Sequence, residues 1–266
     1  MATPARRVRV GVQVRPQHTT YASMREAWRR IEALGVDTLW VWDHFFPLMG
    51  DPDGPHFECW TLLAGMAEVT ERVEFGALVS SNTYRNPALL SNMAKTIDHM
   101  SGGRFILGIG AGWSERDHRE FGYAFDTPAD RLRGLREGLA IIVDRWARDV
   151  PPPVRNPIPI MIGGAGERVT LRLAAKYAQL WNGVLRPDAY AAKNRVLDER
   201  CREVGRDPAE IERTVSIEVS DTATSPGIDA FYDAGATHPI LRFCEPWDFG
   251  AVERLVAWRD AKNASA

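Results

Sequence analysis

Two hydrophobic patterns alternate along the chain. Short runs that are apolar at almost every position recur between longer stretches whose apolar residues return every third or fourth position. The first pattern reads as a strand buried on both faces, the mark of a parallel sheet, and the second as a helix with one inward face. Residues 35–46, GVDTLWVWDHFF, give the clearest run, which breaks abruptly at Asp43 and His44. Further strands are predicted at 8–14, 73–79, 104–110, 159–162, 179–184, 213–219 and 239–243. A helix with Met24, Ala27, Trp28, Ile31 and Leu34 on one face follows Ser23 to Glu26, which has capping-box spacing. Asn86 and Pro87 open another, and Thr127 with Asp130 a third. Residues 111–127 read as a long polar loop.

Eight strands alternating with helices predict an α/β fold, a (β/α)8 TIM barrel in a single domain spanning 1–266, near the usual length of about 250 residues. The stretches EALGVDTLWV and DAGATHPILRF echo one another as helix end, Gly turn and buried strand. An open doubly wound sheet is the alternative. It is disfavoured because Gln13-Val14-Arg15-Pro16 stands where a Gly-rich dinucleotide turn belongs.

Charge and composition narrow the partners. With 33 basic and 35 acidic residues and no block of like charge, neither nucleic acid nor an anionic membrane is implied. Cys59, Cys201 and Cys244 are odd in number and widely spaced, which argues against a disulfide framework and places the chain in the reducing cytoplasm. Arg6 and Arg7 precede no signal-peptide core, and no apolar run is long enough to span a membrane. The histidines lack metal-ligand spacing, so no metal site is expected.

In a barrel, polar groups at the carboxyl ends of the strands converge on one mouth. That rule collects Gln13, Arg15, Asp43, His44, Asn82, Thr83, Arg85, Gly110 to His118, Asn182, Glu218 and Arg242. The cluster Gly163, Gly164, Ala165, Gly166 leads into a helix, where bare amides favour a phosphate; a plain flexible turn has the same sequence. Gly108, Gly110 and Gly112 leave room for something flat, or for close strand packing. Leu48, Trp113 and His118 are candidate walls of a substrate pocket.

WVWDHFF, the run ALVSSNTYRNPALLSNMAKTIDHMSGGRFILGIGAGW with ERDHREFGY after it, and PIMIGGAGERVTLRLAAKYAQLWN together resemble the luciferase-like monooxygenase superfamily. The likeness is strongest to its branch of coenzyme F420-dependent oxidoreductases, and it covers most of residues 8–200. It implies a TIM barrel holding F420, or alternatively FMN, at its mouth, commonly as a homodimer acting on a small molecule. It further implies that Asp43 and His44 lie beside the coenzyme, with His44 near the reacting face. A non-proline cis peptide is expected at Ala77-Leu78 beneath the ring, with ring-edge contacts from Asn82 and Thr83. A close approach at Gly110 to Gly112 and a phosphate cradle from Gly163, Gly164 and Gly166 complete the implied site.

Three departures qualify that picture. Leu48 and Trp113 stand where the glucose-6-phosphate dehydrogenases of the superfamily carry Trp and Glu, which disfavours that substrate. Only residues 148–156 fill the place of a longer pocket-covering segment, and the stretch 221–227 is short. Oxygen chemistry on FMN needs a site shielded from water, whereas hydride transfer by F420 does not. The expectation is therefore F420-dependent hydride transfer, with His44 moving the proton under orientation by Asp43 or a backbone carbonyl. An FMN monooxygenase and a non-catalytic flavin or deazaflavin binder are the alternatives.

Overall fold

A computed structural model describes residues 7–224 and 226–265; Arg6 and the outermost ends of the 1–266 span lie outside them. The strands β1 (Gly11–Val14), β2 (Thr38–Val41) and β3 (Glu74–Ala77) are followed by the two-residue β4 (Ser80–Ser81) and by β5 (Phe105–Gly110). Then come β6 (Ile160–Gly163), β7 (Leu180–Gly183), β8 (Glu212–Ile217) and β9 (His238–Phe243). Every pairing is parallel, β1 joins β9, and β3 joins β5, so the sheet closes on itself. The architecture is a (β/α)8 TIM barrel, with β3 and β4 as two pieces of one stave.

The helices that cover it are α1 (Tyr21–Ala33), α2 (Cys59–Val69), α3 (Pro87–Met100), α4 (Glu115–Glu120) and α5 (Pro128–Arg148), then α6 (Thr170–Tyr177), α7 (Pro187–Glu203), α8 (Gly227–Asp233) and α9 (Phe249–Ala264). Their starts are chemically marked: Asn86 Oδ1 accepts from the Ala88 and Leu89 amides, and Thr127 Oγ1 from the Asp130 amide. Helix α1 begins earlier than the Ser23 spacing predicts. Thr20 is its N-cap and takes the Ser23 amide, since a hydroxyl one turn upstream reaches the same free donors. The predicted polar loop at 111–127 contains α4, capped by Ser114.

The core lies between the sheet and the helices, while Trp40, Ile106, Met161, Leu180 and Ile240 fill the barrel interior. That packing fills the lower barrel, and a cavity opens at the carboxyl ends of the strands. At the opposite face Arg9 pairs with Glu74, which also meets Arg155. The two ends of the described chain are clasped: the Val8 amide donates to Asn263 Oδ1 at 2.8 Å, and Asn263 Nδ2 to the Val8 carbonyl at 2.9 Å.

Candidate active site

The broken stave shapes the mouth. Gly76 pairs with Ile106 and Ser80 with Ile109, so four steps along β3 and β4 run beside three along β5. One residue is extra, and the chain bulges there. Leu78 and Val79 are the displaced residues and line the cavity, whereas Ala77 stays in the core. The non-proline cis peptide lies at Leu78-Val79, not at Ala77-Leu78. The regular ladder persists one residue further than expected: Ala77 is in register with Val41, and the Leu78 amide still donates to the Val41 carbonyl.

The cavity at the mouth measures ≈ 580 Å³. One wall is the strip Gly110, Ala111, Gly112, and another is Gly163 and Gly164. At Gly110 and Gly112 a side chain is excluded by contact with the protein itself. A Cβ on Gly110 would lie 2.9 Å from Val79 Cγ2, and one on Gly112, whose φ is +77°, 2.4 Å from Ser81 Oγ. Gly163 and Gly164 lead to Thr170 at the start of α6, which also lines the cavity. Val169, the N-cap of α6, supplies no side-chain hydrogen bond, so the first-turn amides lack a side-chain cap. Gly166 sits behind this wall, against Thr170.

His44 lines the cavity, and its Nδ1 is 2.6 Å from Asp117 Oδ2. Asp117, 1% exposed, also accepts from the Tyr84 hydroxyl at 3.0 Å and the Phe45 amide at 3.1 Å. Burial pushes its carboxyl up, but the bond and charge of His44 and the Phe45 amide outweigh that and hold it below the ordinary aspartate value. An ionised Asp117 accepts, so Nδ1 carries the proton and Nε2 is the ring nitrogen left for the cavity.

Asp43 does not orient His44. Successive side chains leaving a strand point to opposite sides. Asp43 turns inward, where Arg85 Nη1 donates to it at 2.6 Å and the Ser81 amide at 3.0 Å. Burial pushes the Asp43 carboxyl up against the pull of Arg85. Arg85 also meets Glu58 at 2.7 Å, tying the end of β2 to the start of α2.

Other expected residues fall behind the lining. Asn82 faces α5, where a Cβ on Gly138 would meet its Oδ1 at 2.4 Å. Thr83 Oγ1 bridges Ser81 Oγ and His118 Nε2, each at 2.7 Å. His118 is fully buried, held also by the Ser114 carbonyl and packed against Tyr84 and Phe125, so it forms no pocket wall. Leu48 and Trp113 do line the cavity, and Trp113 is 64% exposed at its rim. Asp117 falls in the stretch Gly110 to His118 that the sequence places at the mouth, without being singled out there. The pattern Ser114-Glu115-Arg116-Asp117 is itself a helix-start signal that would have placed an acidic residue in this loop.

The model of the family described as luciferase-like monooxygenase matches residues 7–234. The chain belongs to the luciferase-like monooxygenase family. Among its relatives, an F420-dependent glucose-6-phosphate dehydrogenase of Amycolatopsis mediterranei is 31% identical over 56% of this chain and 48% of its own length. The chain thus spans about half the length of that relative. A phthiodiolone/phenolphthiodiolone dimycocerosates ketoreductase of Mycobacterium bovis is 28% identical over 84% of this chain and 71% of its own. In fold, the chain matches an F420-dependent secondary alcohol dehydrogenase in complex with an F420-acetone adduct, with a TM-score of 0.83, 17% identity and coverage of 94% and 98%.

Proposed function

We propose that this luciferase-like protein is an oxidoreductase that moves a hydride between coenzyme F420 and a small organic substrate. The observation that carries the reading is the His44–Asp117 pair standing at the wall of a cavity that is also lined by Gly110, Gly112, Gly163 and Gly164. The residues present fit the coenzyme. The strip Gly110, Ala111, Gly112 lines the cavity with no side chain larger than a methyl group, which suits a flat ring, and the start of α6 behind Gly163 and Gly164, which has no side-chain cap, suits a phosphate. Bound there, F420 supplies two-electron hydride chemistry. The relative named as an F420-dependent glucose-6-phosphate dehydrogenase supports the assignment.

The chain's own part is to orient and to move a proton. Asp117 fixes the His44 tautomer, and Nε2 gives a proton to, or takes one from, the substrate oxygen as the carbon changes oxidation state. Asp43 holds the bulge in place through Ser81 and does not act on His44. Leu78 and Val79 form the floor, and Leu48 and Trp113 face the substrate side. The exposed rim at Trp113 is compatible with hydride transfer and unsuited to chemistry that water quenches.

The test is His44→Ala. Fluorescence titration with F420 should show binding within about threefold of wild type, while turnover with a panel of secondary alcohols and carbonyl acceptors falls by roughly 10²-fold or more. Normal turnover refutes the role. Tighter binding of FMN than F420, with oxygen uptake on reduction, would favour a monooxygenase instead.

A further inference from the structure

Across the mouth, at the ends of β1, β8 and β9, an arginine is built in without a good acceptor. Arg15 is 6% exposed, lines the cavity, and its Nε has no partner. Its Nη1 reaches Met49 Sδ at 3.4 Å, and the Cys244 thiol is its other neighbour of this kind. Sulfur is a weak acceptor. Its Nη2 is 3.6 Å from Glu218 Oε1, and that same oxygen is already taken by Arg242 Nη1 at 2.6 Å. Two guanidinium groups therefore share one carboxylate oxygen at the cavity wall, leaving one positive charge uncompensated. Burial and the nearby Arg242 push the Arg15 pKa down against the pull of Glu218, so the site carries an electrostatic cost that a second anion relieves.

We infer that Arg15 and Arg242 form a subsite for a carboxylate on the substrate, so that the substrate is an organic acid with an apolar body. A guanidinium offers parallel donors that match a carboxylate edge. Apolar side chains on this side are Trp42, Leu48, Met49 and Val184, beside the polar Gln13 and Ser216. Trp42 packs against both ends: its ring centroid is 5.8 Å from that of His44, and the Arg15 guanidinium lies 5.6 Å from it. Acid group and reacting carbon thus belong to one compact molecule. This deepens the oxidoreductase reading, because it names the substrate class for the same pocket. The coenzyme's own acidic tail is the other source of a carboxylate.

The experiment titrates the full chain, without coenzyme, with 4-phenylbutyrate and with the neutral 4-phenylbutan-1-ol, following tryptophan fluorescence and heat. The acid should bind roughly tenfold or more tightly than the alcohol. Arg15→Met should bring the two within about twofold, Arg15→Lys should keep part of the preference, and Arg242→Met should reduce it. Melting curves establish that each variant is folded, and the Arg242 variant carries the test if Arg15→Met is not. Equal affinity of acid and alcohol in the wild type overturns the inference. So does a variant that loses its preference for F420 over the tail-less deazaflavin while wild type never favoured the acid, which gives the arginines to the coenzyme. The acid preference without any F420 binding supports the subsite and removes the F420 reading; F420 turnover without the preference does the reverse.

Discussion

Asp117 carries more of the site than any residue the sequence singled out, because three donors from different segments end on one buried carboxylate. Asp117→Asn keeps the shape and removes the charge, and kcat should fall by roughly 10²-fold, with a larger effect on kcat than on F420 affinity. Stability should fall as well, by about 1–3 kcal/mol at neutral pH. The folded-state pKa lies below the ordinary value, so this contribution is fully present above about pH 4 and is lost as pH falls through the folded value. Urea unfolding of both proteins at pH 7 and pH 3 should show the gap shrinking in acid. His44 was legible in the sequence because an apolar run stops there. Its partner lies 73 positions onward on a separate helix, a distance that no local pattern spans. Asp43, which the resemblance paired with His44 beside the coenzyme, faces the other way, onto Arg85 and Ser81.

Among the elements, β5 shows how closely two strands can be forced together. A Cβ on Gly108 would lie 1.8 Å from the Ala77 carbonyl oxygen, a backbone atom that cannot rotate away. Gly108→Ala should therefore cost about 3 kcal/mol, the upper end of overpacking penalties, read from chemical denaturation. Thr127→Ala, which removes the cap of α5, should cost about 1 kcal/mol and leave cofactor binding unchanged. The strands and long helices were legible since burial on both faces, or on one, leaves a period in the sequence. The break between β3 and β4 was implied by the family resemblance alone, one residue early, because an extra residue in one stave shows only against the register of its neighbour. Helix α4 escaped for a different reason: its six residues, ERDHRE, carry no apolar repeat.

The whole barrel also carries a pH response. His56 accepts the Trp42 indole N–H at 2.9 Å, which requires a bare ring nitrogen, and burial lowers its pKa from 6.5 to about 4. The unfolded chain takes up that proton below about pH 6.5 and the folded one does not until about pH 4, so stability drains away across this window as pH falls. Allowing for partial exposure, the loss is about 2 kcal/mol, and His56→Gln should flatten the slope of unfolding free energy between pH 7 and 4.5. Fold class was legible at this scale, because eight buried runs separated by helices leave few ways to cover both faces of a parallel sheet. Which strand ends meet to close the ring was not, since pairing of β1 with β9 joins the extremes of the chain. The Val8–Asn263 clasp beside that seam has a practical corollary. The order in which the staves are threaded is arbitrary: with those neighbours bridged by a few glycines and the backbone reopened at the exposed turn around Gly205, a circular permutant should assemble the same ring and the same mouth.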